Sequence, residues 1–86
     1  MASIELLYFA RVREAIGRDA ETVSPPSGVV TIADLVSWLA ARGGGYAEAF
    51  ADHGLIRAAI GDDFADPATP IAGAREIALF PPVTGG

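Results

Sequence analysis

The chain has 86 residues, a length that suits one domain with a single modest hydrophobic core. Apolar residues make up 51% of it, which favours a folded globule over a disordered chain. Its 11 acidic and 6 basic residues give a formal net charge of −5 at pH 7, so phosphate backbones would repel it and we expect no nucleic-acid partner.

The absence of cysteine from the sequence excludes a disulfide, a thiol nucleophile and a thiolate metal site. The apolar runs are of strand or helix length and are interrupted by charge, and the N-terminus lacks the basic and hydrophobic regions of an export signal. We therefore expect a cytoplasmic protein without a membrane partner.

The N-terminal segment predicts a strand, a short helix and a second strand. Residues 3–10 carry apolar side chains on both alternating faces, which is typical of an interior strand. Residues 11–16 are helix formers followed by Gly17, a residue type that commonly ends helices. Residues 19–24 predict a more polar strand nearer a sheet edge, and the segment 25–28 terminates it.

The longest predicted helix begins at Thr31. Its hydroxyl can cap the first turn, and Asp34 completes the Thr-x-x-acid pattern of a capping box. Apolar residues follow at the spacing that gives a helix one apolar stripe: Ile32, Leu35, Val36 and Leu39. The three glycines at 43–45 are expected to stop this helical structure.

The C-terminal half predicts a shorter helix and three strands. Residues 46–52 form the helical segment, and residues 55–60 form a strand that is apolar except for one arginine. Residues 61–63 predict a turn, residues 64–65 a very short edge strand, and residues 76–80 the last strand.

This order of elements predicts an α+β protein with a β-grasp fold. One main helix can cover only one face of the mixed sheet, so the other face should stay open. The first and last strands are the most apolar and should lie side by side at the centre, parallel because crossovers separate them. We assign residues 1–80 to this domain and residues 81–86 to a flexible C-terminal tail.

The tail, Pro81-Pro82-Val83-Thr84-Gly85-Gly86, is the stretch with the clearest chemical use. The prolines prevent a central strand from continuing, and the glycines lack a Cβ that would clash inside a narrow site. A carboxylate at the end of such an arm can enter a partner's active site, be activated as an acyl-adenylate and accept a nucleophile. The alternative is an ordinary terminus, since small residues collect at frayed chain ends.

Three aromatic residues predict a docking surface. Phe9, Phe64 and Phe80 lie on strands whose other face meets the helix, so they can form an exposed apolar patch beside the tail. Arg11 and Arg13 can flank this patch and pair with acidic groups of a partner, although an exposed arginine usually contributes little beyond solubility. Core packing is the alternative for each phenylalanine.

The sequence contains no conventional catalytic set. His53 stands beside a glycine and is interpreted as a solvated turn residue rather than a base or a ligand. Asp62, Asp63 and Asp66 lack the alternating spacing of a calcium loop and are interpreted as turn residues. We therefore expect no metal site.

Three segments together carry a resemblance to a known family. They are Leu7-Tyr8-Phe9-Ala10-Arg11-Val12-Arg13-Glu14, the helix start from Thr31 to Leu39, and Phe80-Pro81-Pro82-Val83-Thr84-Gly85-Gly86. Nearly end to end, the chain resembles the molybdopterin synthase small-subunit (MoaD) family of ubiquitin-like sulfur carriers. The terminal heptapeptide is specific, because thiazole-pathway carriers and ubiquitin-type modifiers share only the last two glycines. Gly61 and Ala74-Arg75-Glu76 depart from the family pattern, which concerns that loop and not the tail.

The resemblance implies a reaction cycle centred on Gly86. An adenylating enzyme would convert its carboxylate to a glycyl adenylate, and a sulfur donor would then produce the thiocarboxylate, 1-thioglycine. The tail would insert into the large synthase subunit and pass sulfur to cyclic pyranopterin monophosphate, so that two transfers build the dithiolene. The family also implies a heterotetramer, no bound cofactor on this chain, and acid–base groups on the large subunit.

Other functions remain open beside this one. A thiazole-pathway sulfur carrier would use the same terminal chemistry for a different product. A protein modifier would link Gly86 to lysines of other proteins in conjugates that survive thiol and denaturant. A plain interaction domain would bind through a sheet face and would keep that binding after Gly86 is removed.

Overall fold

The structure is a computed structural model, and it describes residues 3–51 and 55–82. Within these ranges the elements follow in the order β1 (Ile4–Tyr8), α1 (Ala10–Ile16), β2 (Ala20–Val23), α2 (Ile32–Ala40), α3 (Gly44–Ala49), β3 (Arg57–Ile60), β4 (Asp63–Ala65) and β5 (Glu76–Phe80). The strands form one mixed sheet in the order β2-β1-β5-β3-β4. The predicted β-grasp arrangement is confirmed.

The parallel pair β1 and β5 lies inside the sheet, as predicted. In register, Leu6 pairs with Ile77 and Tyr8 with Leu79. β2 lies antiparallel to β1 on one side, and β3 lies antiparallel to β5 on the other, with β4 at the edge. The last strand is therefore hydrogen-bonded on both sides.

One face of the sheet carries the hydrophobic core. The strands contribute alternate side chains to it, because successive residues of a strand point to opposite faces. These buried residues are Ile4, Leu6, Tyr8, Val23, Ala58, Ile77 and Leu79. The predicted stripe of α2 is buried in the same cluster, together with Val12 of α1. We call the opposite face the open face, since no helix among the described residues contributes buried side chains to it.

The capping box of α2 is confirmed. The Thr31 hydroxyl accepts a hydrogen bond from the Asp34 N–H at 3.2 Å, and the Asp34 carboxylate accepts from the Thr31 N–H at 3.2 Å and the Val30 N–H at 3.1 Å. These backbone donors hold the pKa of Asp34 below its ordinary value. The start of the main helix is thus set by three local hydrogen bonds.

The first predicted strand is too long, because β1 ends at Tyr8 and not at Ala10. Phe9 is the N-cap of α1, and Ala10 has φ 52°, in the left-handed region that costs a non-glycine residue about 1–2 kcal/mol. The chain reverses sharply here because α1 packs back against β5 and α3. The helix ends at Gly17, as predicted, with φ 87° and the Gly17 N–H donating to the Arg13 carbonyl.

The main helix ends at Ala40, before the glycines at 43–45, as predicted, but the next helix spans Gly44–Ala49 rather than the predicted 46–52. Gly43 is the N-cap of α3, with φ 78°, whereas Gly44 and Gly45 lie within the helix. A Cβ on Gly45 would lie 2.1 Å from the carbonyl oxygen of Ala15, so only glycine lets α3 approach α1 this closely. Packing of the two helices therefore outweighs the low helix propensity of glycine, about 1 kcal/mol per residue.

Two boundaries in the C-terminal half also differ from the prediction. The third strand begins at Arg57 rather than at residue 55. Asp63, which was assigned to a turn, is the first residue of β4 and pairs with Ile60. Aspartate has a low strand propensity, but pairing with the neighbouring strand β3 includes Asp63 in β4.

A carboxylate with little solvent exposure connects β2 to the helices. Glu21 Oε2 accepts hydrogen bonds from the hydroxyls of Tyr8 at 2.7 Å and Tyr46 at 2.6 Å, and its Oε1 accepts from Arg42 at 3.2 Å. The Arg42 guanidinium also stacks on the rings of Trp38 and Tyr46, 4.9 and 5.0 Å from their centroids. One side chain therefore links the sheet to α3 and to the segment after α2.

These contacts also shift the pKa values of Glu21 and of the two tyrosines that donate to it. Burial alone would raise the pKa of Glu21, but hydrogen bonds from Tyr46, Tyr8 and Arg42 lower it below its ordinary value. Burial and the adjacent carboxylate raise the pKa of both tyrosines. At neutral pH the folded state thus keeps the carboxylate ionised and both hydroxyls protonated.

We predict that Glu21→Gln lowers the free energy of unfolding by about 1–3 kcal/mol near neutral pH, because hydrogen bonds to a charged acceptor are lost. A carboxylate with a lowered folded-state pKa contributes full stability above its unfolded pKa, about 4.3, and loses it as the pH falls through the folded value. Urea unfolding at decreasing pH should therefore show the difference between the two proteins shrinking.

Asp19→Asn is the control: the Asp19 side chain forms an exposed ion pair with Arg13 at 3.8 Å, and the substitution leaves its backbone hydrogen bond to Tyr8 in place, so stability should change little. If the difference in free energy of unfolding between wild type and Glu21→Gln stays constant or grows as the pH falls, the lowered pKa assigned to Glu21 is wrong.

Candidate functional site

The root of the predicted tail is the end of β5. Phe80 is the last residue of this interior strand, and Pro81 and Pro82 follow it as half-buried residues. The predictions for Val83, Thr84, Gly85 and Gly86 fall outside the described residues, so the working role of Gly86 stays a prediction. The described part places the start of the tail at the middle of the sheet rather than at its edge.

The open face carries an apolar surface beside this root. In register across the sheet, Leu7 of β1 pairs with Ala78 of β5, Ala78 with Ala59 of β3, and Ala59 with Phe64 of β4. Phe80 follows on β5, and Phe9 lies next to β5 because its N–H donates to the Leu79 carbonyl at 3.2 Å. We call these residues the open-face patch: Leu7, Phe9, Ala59, Phe64, Ala78 and Phe80.

The three predicted aromatic residues differ in exposure. Phe64 is 85% exposed and Phe9 is 46% exposed, so neither is a core residue. Phe80 is half-buried and packs on Phe64, with ring centroids 6.1 Å apart and planes at 56°. An exposed aromatic ring that packs on a half-buried one beside the tail root is typical of an interface anchor.

The predicted Arg13 follows Phe9 by one helical turn, and its N–H donates to the Phe9 carbonyl at 3.3 Å. Its guanidinium lies 3.8 Å from the Asp19 carboxylate, in an exposed ion pair at the connection between α1 and β2. Arg57 is the basic residue that the register places beside Phe80, since the two are partners across β3 and β5. A partner-binding role for Arg13 stays a prediction.

The histidine and the aspartates that the sequence analysis considered form no catalytic or metal-binding group among the described residues. The prediction for His53 falls outside them. Asp66 acts as a turn residue, because its carboxylate accepts from the Ala68 N–H at 2.9 Å and from the Thr69 hydroxyl at 3.2 Å. Among residues 3–51 and 55–82, no group of three or more histidine, cysteine or acidic side chains is placed to hold a metal ion. In the same ranges, no helix is long and apolar enough to cross a membrane.

Three patch residues carry no signal in the sequence that marks them as surface residues. Leu7, Ala59 and Ala78 are small or ordinary apolar residues on strands, and nothing in their local pattern distinguishes them from core residues. The available signal was that β1 and β5 are apolar on both faces although one helix layer can cover only one of them. Only the strand register shows that they form one row with Phe64.

An interior C-terminal strand, helices on one sheet face and an open second face define a ubiquitin-like β-grasp protein. The ThiS family model matches residues 6–86, and the chain therefore belongs to the ThiS family. It is 37% identical over 83 residues to the molybdopterin synthase sulfur carrier subunit of Escherichia coli (strain K12), which covers 96% of this chain and 99% of that protein. The resemblance that the terminal motif indicated is confirmed.

Solved structures show the same fold. SAMP1 from Haloferax volcanii superposes with a TM-score of 0.70 at 26% identity, covering 99% of this chain and all of that chain. A Pyrococcus furiosus protein, named as a candidate molybdopterin converting factor subunit 1, superposes with a TM-score of 0.74 at 21% identity, covering 96% and 100%. At that identity the second match supports the fold alone.

We predict that Phe64→Ala changes the free energy of unfolding by less than about 1 kcal/mol, because the ring is exposed and loses mainly its contact with Phe80. Leu79→Ala, one residue before Phe80 but on the buried face, should cost about 2–5 kcal/mol. Urea denaturation of the two variants measures both values. Equal losses would show that Phe64 belongs to the core and not to an open surface.

Proposed function

We propose that this chain is the sulfur-carrying subunit of a molybdopterin synthase and that the carboxylate of Gly86 is its working group. The observation that carries the proposal is the near full-length relationship to the E. coli molybdopterin synthase sulfur carrier subunit. The position of Phe80 and Pro81 supports it, because the interior strand β5 ends beside an exposed aromatic surface, and Gly85-Gly86 follow a few residues later in the sequence.

The proposed chemistry begins with activation of the carboxylate. An oxygen of Gly86 attacks the α-phosphorus of ATP in an adenylating enzyme, forming the glycyl adenylate and releasing pyrophosphate. A donor that supplies hydrosulfide equivalents then attacks the carbonyl carbon, and AMP leaves. The product is a thiocarboxylate, 1-thioglycine, which is a better sulfur nucleophile than any group of the unmodified chain because the sequence has no cysteine.

The second half of the cycle takes place on the large subunit. The thiocarboxylate sulfur bonds to a carbon of cyclic pyranopterin monophosphate and displaces an oxygen substituent of that carbon, which takes up a proton as it leaves. Water then cleaves the acyl–sulfur bond, which restores the Gly86 carboxylate and leaves the sulfur on the substrate. Two such transfers supply the two sulfur atoms of the dithiolene. The general acid and base for these steps belong to the large subunit, and we expect two small subunits on a large-subunit dimer.

A role as a protein modifier is the second candidate. It is favoured by the structural match to SAMP1, since the same Haloferax volcanii protein is also described as small archaeal modifier protein 1. In that role an amine of a target lysine, rather than a sulfur donor, would displace AMP from the adenylate. This chain contains no lysine, so the targets would be other proteins.

We predict that the chain, co-expressed with its adenylating enzyme and a working sulfur donor, gains the mass of one sulfur in place of one oxygen. Intact-protein mass spectrometry measures the gain, and fragmentation should locate it at Gly86. A variant lacking Gly86 is the control and should gain nothing. A carboxylate that persists beside a working donor would refute sulfur carriage, and conjugates that resist thiol and denaturant would favour the modifier.

We further predict that Phe64→Ala and Phe80→Ala each weaken association with the large subunit by about 1–3 kcal/mol, because aromatic anchors contribute most to an interface. Titration calorimetry with the purified large subunit measures the loss. Val30→Ala is the control, since Val30 is also an exposed apolar residue, 53% accessible, but lies before α2 and outside the patch. Unchanged association of either folded phenylalanine variant would remove that residue from the interface.

A further inference from the structure

The tail root is bordered by a second surface that the open-face patch does not include. A groove of about 490 Å³ opens between α1 and α3, and Pro81 forms part of its wall. The groove is also lined by Arg11 and Glu14 of α1, Glu48 and Ala49 of α3, and Leu55 before β3. Both helices lie on the core side of the sheet, so the groove and the patch flank the tail root from opposite sides.

The groove is lined by apolar side chains and by three exposed charged residues, which we call its rim: Arg11, Glu14 and Glu48. Ala49, Leu55 and Pro81 line it, and Leu55 is a large apolar side chain left 46% exposed. Glu14 and Glu48 come one from each helix, and among the described residues neither makes an ion pair. Arg11 contributes one positive charge, which leaves the rim with an excess of negative charge in a chain whose net charge is already −5.

An apolar lining with an excess of negative charge at the mouth is complementary to a long side chain that ends in a cation. Arginine and lysine have long aliphatic stems that pack along apolar surface while the charged end stays at the mouth. The stem would cover Ala49 and Leu55, and the cation would lie among the two carboxylates. An acidic side chain would be repelled by the two carboxylates, and a short apolar one would gain no electrostatic attraction from them.

The groove is formed before any partner binds. Gly45 allows α3 to approach α1 so closely that a Cβ would meet the Ala15 carbonyl oxygen. Tyr46 of α3 is held by its 2.6 Å hydrogen bond to Glu21. A site whose walls are fixed in advance loses little conformational entropy on binding.

We propose that this groove is a second docking site for the large synthase subunit and that it takes an arginine or lysine side chain of that subunit. The inference rests on the proposed function, because it assumes that the tail enters the large subunit. A protein that encloses the tail must contact its root from more than one side. The patch offers apolar contact on one side of Phe80 and Pro81, and the groove offers a charge-specific contact on the other.

The test is the double variant Glu14→Gln with Glu48→Gln, titrated against the purified large subunit at low and at high salt. Asp62→Asn with Glu76→Gln is the matched control, because it also changes the net charge from −5 to −3 but at the opposite end of β5 from the tail. We expect the groove variant to bind at least ~10-fold more weakly at low salt and to lose much of its salt dependence, and the control to change by less than about 3-fold.

The outcomes separate the groove from the proposed function. If wild type binds the large subunit and the two double variants bind equally well, the groove proposal is wrong while the sulfur-carrier function stands. If only binding to the adenylating enzyme is weakened, the groove serves that enzyme and the proposal is again wrong. If wild type does not bind the large subunit at all, the proposed function fails and the groove proposal fails with it. Circular dichroism of both variants confirms that each compared protein is folded.

Discussion

The parallel pairing of β1 with β5 is the interaction on which the rest of the structure depends. It places the last strand between two hydrogen-bonded neighbours, with Ile77 and Leu79 buried against the helices. From Ile77 to Leu79 this strand is held on both sides and cannot fray without breaking two ladders at once, and Phe80 is still paired with Arg57 of β3. The C-terminal segment therefore leaves from a fixed point at Phe80, and a partner that recognises this root meets the same surface in every molecule.

The same pairing divides the surroundings of the tail root into two chemically different sides. On the open face, Phe64 packs on Phe80 and leaves most of its ring exposed. On the helix side, the groove beside Pro81 is apolar inside and acidic at the rim. Apolar contact contributes affinity, whereas placed charge contributes specificity and the rate of encounter. A carrier that must deliver its terminus to a particular enzyme gains from having both.

Much of this arrangement was predictable because it depends on short-range patterns. The stripe and capping box of α2, the glycine at the end of α1, and the two-faced apolar character of β1 and β5 are all local signals, and the structure confirms them. The errors occur where distant packing overrides local preference. Gly45 lies inside a helix because α1 leaves no room for a Cβ, and Ala10 takes a left-handed conformation because the chain must reverse there.

The class of fold follows from the residues alone, because apolar spacing and the order of elements are local signals, and the family follows from the resemblance carried by three sequence segments. The role of the terminal carboxylate stays a prediction. The neighbours of the tail root are a different matter. Phe64 meets Phe80 through the registers of β3 with β4 and of β3 with β5, and Glu14 shares a groove with Glu48 through the close contact of α1 with α3. Such adjacencies come from the balance of many long-range contacts, which no local pattern contains, so only the folded chain brings these side chains together.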